Sequence, residues 1–106
     1  MIISTTETIQ GREIRKTVGL VRGNTIRARH VGRDIMAAIR TLVGGEVSEY
    51  TKLMAEAREQ ALDRLEAEAT RLGANAVVGV RFSTSVVLGG AAELLAYGTG
   101  VVISDD

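Results

Sequence analysis

The segment 44–50 combines flexible backbone with a concentration of polar side chains. It reads Gly-Gly-Glu-Val-Ser-Glu-Tyr, and its candidate ligand-binding residues are Gly45, Glu46, Ser48, Glu49 and Tyr50. Glycine allows a ligand to approach the backbone closely, and the free N–H groups at the start of a following helix attract anions. The competing interpretation, which is the commoner one for such a segment, is a structural corner between two helices with the tyrosine packed in an interface.

The sequence contains few side chains that could bind a metal ion. Soft and borderline metals prefer thiolate and imidazole groups, and the chain has no cysteine and a single histidine, His30. Glu46 and Glu49, three residues apart at a helix start, offer an oxygen-only site for a hard cation. A symmetric ring would multiply either group around an axis. The alternatives are an ordinary surface or interface histidine and two acids that cap a helix.

Catalytic groups do not form a recognisable constellation. Ser48 has no assignable base, and a lone His30 does not make a triad. Glu46 and Glu49 resemble an acid/base pair, but carboxylates three residues apart occur on most surface helices. Gly89-Gly90 lies in a hairpin connection rather than before a helix, so no phosphate-binding fingerprint is present. We therefore predict no catalytic residue and favour a binding role over an enzymatic one.

The elements that must position these residues belong to a single domain, 1–106, of common domain size. Aromatic residues make up only 3% of the chain, so Val, Ile, Leu and Ala must build the core. The absence of cysteine excludes disulfides. Neither a signal segment nor an apolar stretch of membrane-spanning length is present, and we expect a cytoplasmic protein without a membrane partner.

Charge is unevenly distributed along the chain. Residues 1–45 carry eight Lys/Arg and three Asp/Glu, hence +5, and residues 46–106 carry five and ten, hence −5. A basic half suggests nucleic acid, but no aromatic residues are interleaved with the arginines for base stacking, so we do not favour nucleic acid as a partner. Attraction between the two halves, within one subunit or between subunits, is the preferred interpretation.

Hydrophobic periodicity predicts an α+β fold in which a small, mainly antiparallel sheet is packed by one long and one short helix. We expect strands at 2–5, 17–26, 76–85 and 94–103, helices at 31–43 and 49–72, and a hairpin connection at 87–92. Ser48 is the predicted N-cap and Gly73 the predicted C-cap of the long helix. The Gly23-Asn24 pair suits a turn or bulge. The apolar stripe of the long helix comprises Leu53, Met54, Ala57, Ala61, Leu65, Ala69 and Leu72.

Both faces of the last two strands are apolar. Strict alternation in the first of them would place Ala76, Val78, Val80 and Phe82 on one face. A half-exposed antiparallel strand would instead show one polar face. We therefore predict that the second face of the sheet is covered, either by the shorter helix or by another subunit.

Four segments carry a resemblance to a known family: 31–35 (Val-Gly-Arg-Asp-Ile), 44–51 (Gly-Gly-Glu-Val-Ser-Glu-Tyr-Thr), 72–82 (Leu-Gly-Ala-Asn-Ala-Val-Val-Gly-Val-Arg-Phe) and 96–101 (Ala-Tyr-Gly-Thr-Gly-Val). With the hydrophobic N-terminal strand, and in this order over essentially the whole chain, they resemble the YbjQ-like family of small bacterial and archaeal proteins. One mild departure is Gly98-Thr99-Gly100, where the usual family ending has Gly-Thr-Ala.

The resemblance implies a dodecin-like subunit that closes into a homopentameric ring. The family carries the description "putative heavy-metal-binding", which implies a metal ion as cofactor, although the Cys and His content of this chain does not support one. We predict a homo-oligomeric, non-enzymatic binding module for a small ligand or metal ion. The alternative is a structural or partner-scaffolding ring with no small-molecule ligand.

Overall fold

The computed structural model describes residues 1–27, 48–87 and 91–105, and these residues form four strands and one long helix. In chain order they are β1 (Ile2–Ile3), β2 (Ile14–Arg27), α1 (Ser48–Arg71), β3 (Ala76–Val87) and β4 (Ala91–Ile103). The strands form one sheet in the order β1-β3-β4-β2. β1 pairs with β3 in parallel, and the other two pairings are antiparallel. The predicted α+β fold is confirmed, while the shorter helix at 31–43 lies outside the described residues.

α1 packs on one face of the sheet through a stripe of small residues. Ala57, Ala61, Leu65 and Ala69 recur every four residues and are almost fully buried. Leu72, which we expected to extend this stripe, is 42% exposed. The helix ends at Arg71, and the chain then reverses toward β3, which turns the Leu72 side chain out of the stripe.

The C-terminus of α1 is closed by the glycine that the sequence indicated. Gly73 has a φ of 91°. Its amide donates to the Thr70 carbonyl at 3.1 Å, and the Ala74 amide donates to the Ala69 carbonyl at 2.9 Å. This pair of bonds is a Schellman motif, which satisfies carbonyls at the helix end and requires a left-handed residue.

α1 lies directly on the backbone of β2 at Gly23. A β-carbon at this position would overlap the Leu65 amide nitrogen and the Ala61 carbonyl oxygen. The predicted turn or bulge at Gly23-Asn24 is wrong, because both residues pair in uninterrupted register with Ala96 and Leu95 of β4. Glycine is required here by the close approach of the helix rather than by a turn.

Buried side chains form a cluster on each face of the sheet. Beneath α1 lie Val21, Ala61, Leu65, Ala69, Ala74, Val77, Val80 and Ala96. On the second face lie Ala76, Val78, Val101 and Ile103, with Ile9 and Ile14 packed against them. The segment that leads from β1 into β2 therefore covers one end of the second face.

A β-bulge in β3 changes which residues share a face. The pairing register with β4 shifts between Val78 and Arg81, and Gly79 within this interval has a φ of 63°. Val80 consequently joins Val77 in the cluster beneath α1 instead of sharing a face with Val78. The prediction of strict alternation through Val80 is wrong because one extra residue reverses the side-chain direction.

The described part of the chain includes no helix of the length and apolar character that a bilayer crossing requires.

Candidate functional site

The residues that the sequence singled out fall mainly outside the described part of the chain. Gly45, Glu46 and His30 belong to the segment 28–47, which is not described. Ser48, Glu49 and Tyr50 form the first turn of α1, but their side chains are also outside the description. The predicted ligand-binding and metal sites at these positions therefore stay predictions.

A cleft on the second face of the sheet is a concave site formed by the described residues. Its volume is about 410 Å³, which is within the size range of small-molecule sites. The segment between β1 and β2 forms one wall, and β2, β3 and β4 form the rest. It is lined by Glu7, Ile14, Thr17, Val78, Gly79, Arg81, Thr99 and Val101.

The floor of the cleft is apolar and is held between paired strands. Val78 and Val101 are both buried, and Ile14 packs against them from the start of β2. These side chains are held by the adjacent, hydrogen-bonded strands β3, β4 and β2. A ligand seated here would bury apolar surface without first ordering the floor, which reduces the entropic cost of binding.

The wall formed by the N-terminal segment is tied to β3 by backbone hydrogen bonds. The Ser4 amide donates to the Val77 carbonyl at 2.9 Å, and the Val80 amide donates to the Ser4 carbonyl at 3.0 Å. The Gly79 amide then donates to the Thr6 carbonyl at 2.8 Å. Because the β3 bulge presents the Gly79 amide to this segment, the bulge both shapes the cleft and anchors its wall.

Arg81 joins the same wall to the sheet. Its guanidinium donates to the Thr5 carbonyl at 2.9 Å and to the Val80 carbonyl at 2.8 Å. Both bonds use the same terminal nitrogen, so other N–H groups of the guanidinium remain for a ligand. Arg81 is exposed, and it lies at the rim of the cleft rather than in its floor.

The opposite end of the cleft is closed by bonds to the end of β4. Asn75 donates through Nδ2 to the Ile103 carbonyl at 3.0 Å and accepts through Oδ1 from the Ile103 amide at 2.7 Å. The Glu13 amide donates to Ser104 Oγ at 3.0 Å, and Arg12 donates to the Ser104 carbonyl at 3.0 Å. The Arg12 and Glu13 bonds fix the start of β2 against the end of β4 and thereby hold Ile14 in place, while the Asn75 bonds join the start of β3 to the end of β4.

The lining of the cleft offers polar groups that can bind a ligand. Glu7, Arg81, Thr17 and Thr99 place a carboxylate, a guanidinium and two hydroxyl groups around an apolar floor. Threonine hydroxyls both donate and accept hydrogen bonds, so they can orient a ligand's polar group. Among the described residues that line the cleft there is no histidine that could activate these hydroxyls as nucleophiles.

A heavy-metal site does not fit the donors that surround this cleft. Glu7 is the single carboxylate among the described residues that line it, and thiolates are absent from the whole sequence. Within residues 1–27, 48–87 and 91–105, no group of three or more His, Cys, Asp or Glu side chains is gathered closely enough to hold a metal ion. We therefore derive no metal chemistry at the cleft.

Sequence reasoning did not identify the lining residues Glu7, Thr17, Arg81 and Thr99. They come from four separate stretches of the chain, and only the fold brings them together. One local signal was available, because a glycine within an apolar strand often marks a bulge. Gly79 followed by Arg81 in an otherwise apolar run could have indicated a special position in β3.

Comparisons with known proteins show the same domain across bacteria and archaea. The model of a family described as "Putative heavy-metal-binding", YbjQ-like, matches residues 1–104. A UPF0145 protein of Methanosarcina acetivorans is 58% identical over 103 residues, covering 97% of each chain. A UPF0145 protein of Archaeoglobus fulgidus is 56% identical over 101 residues, covering 95% of this chain and 94% of its own.

A solved structure supports the fold. The crystal structure of a Pediococcus pentosaceus protein of unknown function, assigned to the DUF74 family, matches with a TM-score of 0.57 and covers 98% of both chains. The two sequences are 19% identical, so this likeness concerns the arrangement of helix and strands alone.

Proposed function

This chain belongs to the YbjQ-like family, and on that premise we propose that it is a non-enzymatic, homo-oligomeric binding module for a small ligand. The observation that carries the proposal is the cleft of about 410 Å³, with its apolar floor and polar rim. Such a combination is typical of sites that bind small molecules. A metal ion is the alternative ligand, at the predicted site of His30, Glu46 and Glu49, whose side chains lie outside the description.

The lining suggests a ligand with two parts. An apolar portion would rest on Val78 and Val101, and a polar or charged group would meet the hydroxyls of Thr17 and Thr99. Arg81 and Glu7 lie on the same rim with opposite charges. This arrangement favours a ligand that presents both an acceptor for the guanidinium and a donor for the carboxylate.

Assembly into a ring is the second part of the proposal. Leu20 and Ile26 are each 63% exposed on the second face of the sheet, beyond the part covered by Ile9 and Ile14. Apolar side chains this exposed on one face are a common feature of contact surfaces. Five is the proposed number of subunits, and it comes from the family resemblance to dodecin-like rings.

Native mass spectrometry of untagged protein, purified without chelator, tests both parts. We expect an oligomer that retains a stoichiometric mass beyond the polypeptide. A Thr99→Val variant removes a cleft hydroxyl at nearly constant shape and should lose that mass while keeping the subunit count. Thr84→Val is the matched control, because Thr84 is an exposed β3 residue outside the cleft lining.

The alternative is a structural or partner-scaffolding ring without a small ligand, and the exposed apolar face is the observation that favours it. In that case the wild-type oligomer would carry no additional mass.

The predicted ligand-binding segment 44–50 is tested by a separate pair of substitutions. Changing Glu46 and Glu49 to Gln should abolish retention of the mass if the ligand binds there, and should leave it unchanged if the ligand binds in the cleft.

A further inference from the structure

The second face of the sheet has an exposed part that the described residues do not cover. In it, Tyr97 of β4 lies between Arg22 of β2 and Arg81 of β3 in register. Directly opposite residues of antiparallel strands share a face, so these three side chains form one row across the sheet. Arg22 and Arg81 are exposed, and Tyr97 is 37% exposed.

The rows on either side of Tyr97 extend this surface. Leu20 is paired with Thr99 on one side, and Ile26 is paired with Glu93 further along β2 and β4. The Glu93 carboxylate accepts a hydrogen bond from Asn24 Nδ2 at 3.0 Å, so a neutral neighbour already engages it. Arg22 and Arg81 are the charged residues paired directly with Tyr97, whereas Glu93, which keeps its negative charge, lies four residues further along β4 in the row of Ile26.

The outward face of α1 has the opposite charge. Glu56, Glu59 and Asp63 are exposed and line a shallow groove together with Ala55 and Gln60. The groove lies opposite the buried stripe at Ala57 and Ala61, because residues two positions apart on a helix are about 200° apart. This surface therefore points away from the sheet of its own subunit.

We propose that the acidic groove of α1 from a second copy of this chain covers the Arg22–Tyr97–Arg81 row. Charge complementarity between the two surfaces identifies the occupant. The surfaces lie on opposite sides of a two-layer subunit, so each copy uses one surface toward each neighbour. Such a head-to-tail contact is heterologous, and it closes into a ring when the rotation between copies permits.

The dimensions of the subunit agree with this contact. The described chain measures 52 × 26 × 17 Å with a radius of gyration of 16.9 Å. A compact domain of this length would have a radius of gyration of about 13 Å. The acidic groove spans about 12 Å along α1, from Ala55 to Asp63, and the exposed stretch of β2 from Leu20 to Ile26 spans about 20 Å. A long helix can therefore lie along the exposed part of the sheet.

This inference rests on the proposed homo-oligomeric ring, and charge reversal in the full chain tests it by sedimentation velocity. Arg22→Glu or Glu59→Arg alone should weaken association at least about tenfold, because each places like charges in contact. The double variant Arg22→Glu/Glu59→Arg restores an attractive pair and should recover the wild-type oligomer. Asp105→Arg, an exposed reversal after β4, is the control and should leave assembly unchanged.

Each outcome separates this contact from the ring itself. If wild type is an oligomer and both single reversals sediment like it, the contact is wrong while the ring stands. A folded double variant that stays dissociated also contradicts the pairing. A monomeric wild type would refute the ring and this contact together. Circular dichroism checks that each variant folds. If a charge-reversal variant does not fold, Arg22→Gln or Glu59→Gln replaces it, and each of these neutral variants should also weaken association.

Discussion

Gly23 lies beneath the backbone of Leu65 so closely that a β-carbon on Gly23 would overlap the Leu65 amide nitrogen. That β-carbon would also lie 2.7 Å from the Arg64 carbonyl carbon. Backbone atoms of a helix cannot move aside like a flexible side chain. The helix–sheet distance, and with it the whole layer packing, is therefore set by the absence of a side chain at residue 23.

Gly23→Ala should separate α1 from the sheet and destabilise the chain by at least about 2–3 kcal/mol, as overpacking against an unyielding neighbour does. Urea denaturation followed by circular dichroism measures this loss. The exposed Ser85→Ala on β3 should remain within about 0.5 kcal/mol of wild type. If Gly23→Ala is as stable as that control, the backbone of α1 does not lie against Gly23 of β2 as described.

Gly79→Ala should lower the free energy of unfolding by about 1 kcal/mol. The reason is the left-handed backbone conformation of residue 79 and not a lack of space for the side chain. A β-carbon there would meet no atom within 4 Å. Gly79→Asn should therefore recover part of the loss, since asparagine tolerates this region better despite its larger side chain. Thermal unfolding of the two variants distinguishes these causes. If Gly79→Asn loses as much stability as Gly79→Ala, or more, steric crowding and not backbone conformation is the cause.

Thr25→Val should stabilise the chain by about 1 kcal/mol. The Thr25 side chain is 2% exposed beneath α1, and its Oγ1 has no hydrogen-bond partner among the described residues. Valine has nearly the same shape and removes the cost of burying an unpaired hydroxyl. Thermal unfolding measures the shift, with the exposed Thr84→Val as control. A loss of stability in Thr25→Val would reveal a hydrogen bond to this hydroxyl.

Asn75→Ala should destabilise the chain by about 1–2 kcal/mol, because it removes both side-chain bonds to Ile103 and leaves that amide without its acceptor. Amide hydrogen exchange at Ile103 should accelerate accordingly. Asn75→Asp keeps the acceptor oxygen and should retain more protection than alanine. Equal protection of the Ile103 amide in wild type and Asn75→Ala would contradict this assignment.

Local patterns were sufficient for much of the architecture. The long helix, its glycine cap and the β3–β4 pairing were predicted within a few residues, since each depends on contacts between near neighbours in the sequence. The covering of the second sheet face by the shorter helix or by another subunit stays a prediction, while Ile9 and Ile14 of the same chain pack on one end of that face. The predicted site at 44–50 stays a prediction.

The sequence by itself determined the elements. A small-residue stripe with a period near four makes α1, and short apolar runs, rich in β-branched residues in β3, make β3 and β4. Only the tertiary structure decided why residue 23 is glycine, on which face Val80 lies and which groups line the cleft. Those features depend on segments far apart in the chain that meet after folding. Glycine patterns alone cannot distinguish a turn, a bulge and a helix contact, because all three require the same missing side chain.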